Sequence, residues 1–106
     1  MSPKELCLIT GGGSGIGRAT AIKFASNNIK TIIVGRREEA LLETIDLAGK
    51  YGDNITLFQC DISLDSEIKR LREDVEANFG SVSILINNAG ASSQVRSIAH
   101  IPTDQW

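Results

Sequence analysis

Short apolar runs alternate along the chain with stretches of helical pattern, at a step of about 25 residues. The apolar runs lie at residues 6–10, 31–34, 55–60 and 83–86, and they lack the regularly spaced polar positions of a half-exposed sheet. Helical patterns lie between them, at about 15–27, 38–50 and from Ser63 to Gly80. This alternation predicts βαβ units and a parallel sheet covered by helices on both faces.

The helical stretches also predict which faces they bury. In the first stretch, the positions expected to face the sheet are Ile16, Ala19, Ile22 and Phe24 or Ala25. In the third stretch, the apolar positions recur at helical spacing, as Ile68, Leu71, Val75 and Phe79. Ser63 is predicted to cap the third helix and Gly80 to end it.

Right-handed crossovers place four such strands in the order 3-2-1-4. The predicted fold class is therefore α/β, a Rossmann-type doubly wound parallel sheet that binds its ligand between strands one and four, at their carboxyl ends. The fourth run, Ile84-Leu85-Ile86, is wholly apolar like a central strand, but it would form an open edge here. We therefore expect the sheet to be incomplete in the sequence given.

Composition and charge narrow the class of protein. The 106 residues include 42% hydrophobic and 23% charged ones, which is typical of one ordinary globular domain. A net charge of −2 predicts no nucleic-acid partner and no anionic membrane partner. No apolar run approaches the roughly 18 residues of a membrane span, and no signal peptide opens the chain, so the predicted location is cytoplasmic. Cys7 and Cys60 lack metal-ligand spacing and are predicted to be buried.

A glycine-rich turn follows the first apolar run directly. Its sequence is Thr10-Gly11-Gly12-Gly13-Ser14-Gly15-Ile16-Gly17. Glycines destabilise helix and strand interiors, so this cluster indicates a turn that needs positive φ angles or missing side chains. At a strand-to-helix turn, unpaired N–H groups and the helix dipole attract anions. The turn therefore predicts a site for the pyrophosphate of a nucleotide.

The glycine spacing excludes some nucleotide sites. Gly11, Gly15 and Gly17 give GxxxGxG, which differs from the common dinucleotide fingerprint GxGxxG. No Lys-Ser or Lys-Thr pair follows the last glycine, so a P-loop for nucleoside triphosphates is excluded. A flexible linker is the alternative, but the strand-like run before the turn and the helical stretch after it disfavour that interpretation.

The other strand ends carry polar or glycine residues as well, namely Gly35-Arg36-Arg37, Asp61-Ile62 and Asn87-Asn88-Ala89-Gly90. Three features together resemble the short-chain dehydrogenase/reductase family, over essentially the whole chain. They are TGGGSGIG, a single Asp after strand three and NNAG after strand four. The resemblance implies that residues 1–106 are an NAD(P)-binding Rossmann domain, the N-terminal half of an NAD(P)-dependent oxidoreductase.

The same resemblance implies roles for single residues. Gly11, Gly15 and Gly17 would approach the pyrophosphate, Asp61 would pair with the adenine amino group, and residues 87–90 would support the cofactor. Asp61 could instead serve only the dipole of the following helix, and the asparagines could serve only the turn. The predicted cofactor-binding residues are Thr10, Gly11, Gly13, Ser14, Gly15, Ile16, Gly17, Arg36, Arg37, Asp61, Ile62, Asn88, Ala89 and Gly90.

The end of strand two decides between NADP and NAD. An NAD site places an acid there against the ribose 2′-hydroxyl, whereas this chain has Gly35-Arg36-Arg37. Because guanidinium groups can bind a 2′-phosphate, NADP is favoured and NAD is the alternative. Glu38 and Glu39 argue against NADP, but they lie late enough to suit the first helical turn. Arg18 either adds to the positive field or is a solvated helix residue.

No catalytic residue and no metal ligand is assigned within the sequence. The resemblance implies a catalytic serine, a tyrosine and a lysine one helical turn after the tyrosine. Tyr51 has no lysine four positions later, and so the catalytic group is expected beyond Trp106. His100 has no cysteine or carboxylate at ligand spacing.

Two classes of function remain open. The favoured one is hydride transfer between NAD(P) and a small-molecule carbonyl or alcohol substrate, by an enzyme whose full-length form is a homo-oligomer. The alternative is a dinucleotide-binding or interaction module without catalysis. In the first case, the 106 residues alone are expected to be inactive and to associate through the fourth strand. The sequence does not indicate the substrate or the direction of the reaction.

Overall fold

Four parallel strands alternate with three α-helices in residues 5–88, the part of the chain that the computed structural model describes. The elements are β1 (Leu6–Thr10), α1 (Gly15–Ser26), β2 (Lys30–Gly35), α2 (Glu38–Leu47), a 3₁₀ helix (Gly49–Asn54), β3 (Ile55–Gln59), α3 (Asp65–Asn78) and β4 (Ile84–Asn87). The strand order is β3-β2-β1-β4, which confirms the predicted Rossmann-type topology. The sequence also favours a polar loop at 91–102 and a helix start at 103–106, and both lie outside the described residues.

Alternate residues of the central strands point into two separate cores. Leu6 and Leu8 pack with Leu71 and Val75 of α3 on one face of the sheet. On the other face lie residues of β1 and β2 together with residues of α1 and α2: Cys7, Ile9, Ile33, Ala21, Ala25 and Leu41. Burial of each Leu or Ile side chain contributes about 1.5 to 3 kcal/mol to stability. Both faces are covered, as the unbroken apolar strands predicted.

The prediction for the buried face of α1 was wrong in part. The buried residues are Gly17, Ala21 and Ala25, whereas the Ile16 side chain is 77% exposed and Ala19 is exposed. Ile22 and Phe24 pack only at the margin of the core. Small side chains at a spacing of four let the helix backbone lie close to the sheet, and the larger residues are displaced to its flanks.

The predicted cap of the third helix was also wrong. The helix begins at Asp65 after Leu64, with no side-chain capping bond. The Ser63 hydroxyl instead donates a hydrogen bond to the Asp61 carboxylate, at 2.7 Å. The acidic residues Asp65 and Glu67 occupy the first turn, where the helix dipole favours them.

The bounds of α2 and β4 differ from the predicted ones by a few residues. The second helix ends at Leu47 and gives way to the 3₁₀ helix, so the predicted span 38–50 was too long. The fourth strand covers residues 84–87 rather than 83–86, because the Leu6 N–H donates to the Ser83 hydroxyl at 3.0 Å instead of to a backbone carbonyl. Within the described residues, no helix has both the length and the apolar character needed to cross a membrane.

Both cysteines are buried, as predicted, with Cys7 fully inaccessible and Cys60 3% exposed. Burial, together with the smaller effect of the Glu5 carboxylate, raises the pKa of the Cys7 thiol to about 12. Burial also raises the pKa of Cys60. Both thiols are therefore protonated at neutral pH, which suits a packing role better than a reactive one.

Candidate functional site

A cleft of about 490 Å³ lies where β1, β2 and β3 end. Parallel strands all present their carboxyl ends at this edge of the sheet, so segments that are distant in sequence meet there. Half of the predicted cofactor-binding residues line the cleft: Gly11, Gly13, Ser14, Arg36, Arg37, Asp61 and Ile62. Ala89 and Gly90 lie outside the described residues, and the remaining predicted residues lie around the turn.

The turn between β1 and α1 depends on two glycines with positive φ. Gly11 has φ 75° and Gly15 has φ 57°, a region that residues with a Cβ atom rarely adopt. A Cβ atom built on Gly15 would meet no atom within 4 Å, so the backbone there is open to an approaching ligand. The Ser14 side chain makes no capping bond, which leaves the first-turn N–H groups of α1 without a side-chain partner.

Gly17 has a packing function. It is buried, and a Cβ atom on it would lie 2.0 Å from the Gly11 carbonyl oxygen and 2.8 Å from Nδ2 of Asn88. The first turn of α1 can therefore rest directly on the start of the glycine-rich turn. Any side chain at position 17 would separate these two backbone segments.

Thr10 connects the turn to β4. The register pairs Thr10 with Asn87. The Thr10 hydroxyl donates a hydrogen bond to Oδ1 of Asn87, and it accepts one from the N–H of Asn88, both at 3.0 Å. These bonds join the ends of β1 and β4 at the point where the strand order reverses. Asn87 and Asn88 thus support the turn through backbone and side-chain contacts.

Arg36 and Arg37 provide the positive charge of the cleft. Both are exposed, and neither forms an ion pair with another residue of the segment 5–88. The Gln59 side chain donates a hydrogen bond to the Arg36 carbonyl, at 3.0 Å, which ties this corner to β3. Glu38 and Glu39 occupy the first turn of α2, as predicted, where the helix dipole favours acidic residues.

Asp61 is held in one orientation by the turn that follows β3. Its Oδ1 atom accepts hydrogen bonds from the Ser63 hydroxyl at 2.7 Å and from the Ser63 N–H at 3.0 Å. These bonds lower the pKa of Asp61 below its ordinary value, and the charge of Arg36 lowers it further. Within the described part of the chain, Oδ2 has no hydrogen-bond donor. Asp61 therefore presents an ionised acceptor at the cleft.

Sequence reasoning missed Thr44 and misjudged Arg18. Arg18 neither lines the cleft nor projects freely into solvent; it donates hydrogen bonds to the turn and to α2. Thr44 is fully buried at the centre of that network. A signal was available, since a threonine lies on the buried stripe of α2 between Leu41 and Ala48, where a polar side chain needs a partner.

Metal binding finds no support in residues 5–88, which hold no group of three His, Cys, Asp or Glu side chains placed to bind an ion. His100 lies outside the described residues. The polar groups of the cleft are instead backbone amides, guanidinium groups and one carboxylate. This set suits a phosphorylated ligand with an amino-bearing base.

Comparisons with known proteins agree with this architecture. The family model described as short chain dehydrogenase matches residues 5–106. A 3beta-hydroxysteroid dehydrogenase from Mediterraneibacter gnavus is 31% identical, over 97% of this chain and 37% of the relative. Epidermal retinol dehydrogenase 2 from Mus musculus is 41% identical, over 81% of this chain and 28% of the relative.

Solved structures give the same result. Menthone neomenthol reductase from Mentha piperita superposes with a TM-score of 0.77 and 28% identity, over 85% of this chain and 33% of its own. An actinorhodin polyketide ketoreductase with NADPH gives a TM-score of 0.76 and 32% identity, over 83% and 34%. In all four comparisons the chain spans well under half of the relative's length. The family match covers nearly the whole chain, however, and the chain belongs to the short-chain dehydrogenase family.

Proposed function

We propose that residues 1–106 form the dinucleotide-binding half of an oxidoreductase that transfers hydride between NADP(H) and a small-molecule alcohol or carbonyl compound. The observation that carries this proposal is the cleft. An open glycine turn lies at one end, and two arginines without ion-pair partners in residues 5–88 lie beside an oriented carboxylate at the other. The bound nicotinamide would supply the hydride donor or acceptor.

The residues of the cleft fit the parts of this cofactor. Backbone amides after Gly12 would hold the pyrophosphate, because those of Gly11 and Gly12 already donate to the Val34 carbonyl and no side chain crowds Gly15. Arg36 and Arg37 would hold the 2′-phosphate in charge-assisted bonds. Asp61 would accept a hydrogen bond from the adenine amino group through Oδ2, and Ile62, partly buried beside it, would pack near the base.

The preference for NADP over NAD rests on charge. A 2′-phosphate would be repelled by an acid at the end of β2, and Gly35 occupies that position. Calorimetric titration of the whole protein should give tighter binding of NADP⁺ than of NAD⁺, by about 30-fold or more from charge-assisted bonds. Tighter binding of NAD⁺ would overturn the preference, and binding of neither would overturn the proposed cofactor.

The substrate class follows from the relatives rather than from the cleft. The names of the four related proteins refer to hydroxysteroids, retinol, menthone and a polyketide. The compounds in these names carry hydroxyl or carbonyl groups, so we propose a small alcohol or carbonyl substrate. From the family alone we further propose that the whole protein is a homo-oligomer. Oxidation of NADPH by the whole protein with a panel of ketones and aldehydes tests the activity. A protein that binds NADPH but turns over no member of the panel would favour a non-catalytic module.

Asp61→Asn is expected to change which base is preferred. Asparagine keeps an oxygen for the two Ser63 bonds but replaces the outward acceptor with an N–H donor. Binding of NADP⁺ should weaken about tenfold, because one bond to a charged group is lost. The hypoxanthine analogue carries an oxygen in place of the amino group and should bind the variant better than the native protein. Equal changes for both dinucleotides would contradict the role of Asp61.

Gly15→Val is expected to abolish detectable dinucleotide binding, because the side chain would fill the open space beside the turn. Gly49→Val is a matched control, since Gly49 has φ 60° and is equally open but lies in the 3₁₀ helix, apart from the glycine-rich turn. Both variants carry the strain of positive φ, about 1 to 2 kcal/mol. Thermal unfolding should therefore shift alike in both, whereas only Gly15→Val should lose binding in calorimetry. Normal binding by Gly15→Val would show that the phosphates do not approach Gly15.

A further inference from the structure

We infer that Arg18 and Thr44 are positioning residues that set the distance between the two phosphate-binding parts of the cleft, the glycine-rich turn and the amino end of α2. The inference rests on the proposed function, because it assumes a ligand with phosphates at both places. Neither residue lines the cleft. Their effect on the ligand would be exerted entirely through the backbone segments that they join.

Arg18 bridges the turn and α2 from its place in the first turns of α1. Its Nε donates to the Thr44 hydroxyl at 2.9 Å, and its Nη2 donates to the Ala40 carbonyl at 3.1 Å. Nη2 also donates to the carbonyl of Gly13 in the turn. A further bond reaches the Glu43 carboxylate at 3.1 Å, and Glu43 is largely exposed. The bonds to backbone and buried groups are the ones that fix relative position, since an exposed ion pair contributes little.

Thr44 completes the bridge from the other side. Its hydroxyl donates to the Gly12 carbonyl at 2.7 Å, and the alternative acceptor, the Ala40 carbonyl, is more distant at 3.3 Å. The hydroxyl has one proton, and the guanidinium of Arg18 can only donate. The bond from Arg18 therefore occupies a lone pair of Oγ1, and the Thr44 proton is directed to the turn. Thr44 is completely buried, so water cannot replace these bonds.

The bridge joins the segments that carry the two phosphate sites. The carbonyls of Gly12 and Gly13 belong to the turn proposed for the pyrophosphate, and α2 begins directly after Arg37. The turn and α2 also lie close together, since a Cβ atom on Gly13 would be 3.0 Å from the Cβ of Ala40. A ligand held at both sites gains affinity only when their spacing matches its own.

A comparison of long and short ligands isolates this effect. NADP⁺ would span the turn and the arginines, whereas adenosine 2′-monophosphate would reach only Arg36, Arg37 and Asp61. Loss of the bridge should weaken the binding of NADP⁺ by about tenfold, as expected for one bond to a charged group. Binding of adenosine 2′-monophosphate should change less than about twofold, because its contacts lie at one end of the cleft. A general loss of structure would weaken both ligands together.

The experiment titrates both ligands into the native whole protein and into four variants. Thr44→Val removes the hydroxyl at constant shape, and Thr44→Ser restores it. Arg18→Lys keeps the charge but has all its donors on one nitrogen, so it lacks the fork that reaches Thr44 and the backbone carbonyls together. Arg72→Lys, on α3 and outside the cleft, is the matched control. We expect Thr44→Val and Arg18→Lys to lose affinity for NADP⁺ selectively, and Thr44→Ser and Arg72→Lys to bind like the native protein.

The outcomes separate this inference from the proposed function. Native protein that binds neither NADP⁺ nor NAD⁺ would overturn the proposed function and the inference together. If the native protein binds NADP⁺ and the Thr44→Val variant binds it with equal affinity, the inference alone is overturned. Equal weakening of both ligands by Thr44→Val, or no rescue by Thr44→Ser, would also overturn it, since a structural role without positioning would then account for the result.

Discussion

Gly17→Ala should abolish dinucleotide binding and destabilise the protein by about 3 kcal/mol, which is the upper part of the usual range for overpacking. The new Cβ atom would lie 2.0 Å from the Gly11 carbonyl oxygen, so α1 or the glycine-rich turn must move. The neighbouring atoms are largely backbone, which cannot rotate away as the end of a flexible side chain can. Circular dichroism during heating and calorimetric titration with NADP⁺ measure the two losses.

Gly35→Ala is the control for Gly17→Ala, because it adds the same methyl group at a different glycine. A Cβ atom at position 35 would meet the Leu41 side chain at 3.3 Å, and that side chain can yield by a few tenths of an ångström. Its effect on unfolding should therefore be much smaller. A Gly17→Ala variant with native stability and native NADP⁺ affinity would show that the contact between α1 and the turn is unimportant.

Replacement of both Arg36 and Arg37 by alanine should weaken NADP⁺ binding by about 30- to 1,000-fold, which corresponds to about 2 to 4 kcal/mol of charge-assisted bonds. Binding of NAD⁺ should change little, because the contacts to pyrophosphate and adenine are retained. Neither arginine has an ion-pair partner in residues 5–88, so neither guanidinium group has to break a close ion pair there in order to bind the phosphate. Calorimetric titration with both dinucleotides gives the ratio of the NADP⁺ affinity to the NAD⁺ affinity directly.

A second pair of substitutions separates local contacts from net charge. Lys69→Ala with Arg72→Ala removes two positive charges from α3, away from the cleft. This control should leave the ratio of NADP⁺ to NAD⁺ affinity unchanged, since neither residue lines the cleft and salt weakens interactions between charges that are not in contact. Equal losses for NADP⁺ and NAD⁺ in the arginine variant would contradict the assignment of the 2′-phosphate.

The fold was largely predictable because its signals are local. Unbroken apolar runs marked the strands of a sheet covered on both faces, and handedness then left 3-2-1-4 as the order, as observed. The glycine-rich turn, Arg36 and Asp61 all follow strand ends, so topology alone brought them to one cleft. The role of each residue toward a cofactor remains a prediction that the proposed titrations test.

The first turns of the helices show where local patterns were insufficient. Ile16 has the spacing of a core residue yet is 77% exposed, because Gly17, Ala21 and Ala25 let α1 approach the sheet more closely. Ser63 has the composition of a helix cap, but the carboxylate of Asp61 competes for its hydroxyl. In both cases a contact with another residue or element decided the outcome. The close packing of α1 on the sheet kept Ile16 out of the core, and the Asp61 carboxylate accepted the hydrogen bond of Ser63.

The sequence by itself determined the order of strands and helices and the edge of the sheet where the cleft forms, because both depend on short-range periodicity and chain connectivity. The family followed from the resemblance of the glycine-rich, Asp61 and NNAG motifs. Only the tertiary structure decided that Gly17 must lack a side chain because of Gly11, and that Arg18 and Thr44 join the turn to α2. Thr44 and Gly12 are 32 residues apart in sequence. Contacts of a few ångströms between such distant segments depend on how the helices settle on the sheet, and no local pattern encodes that distance.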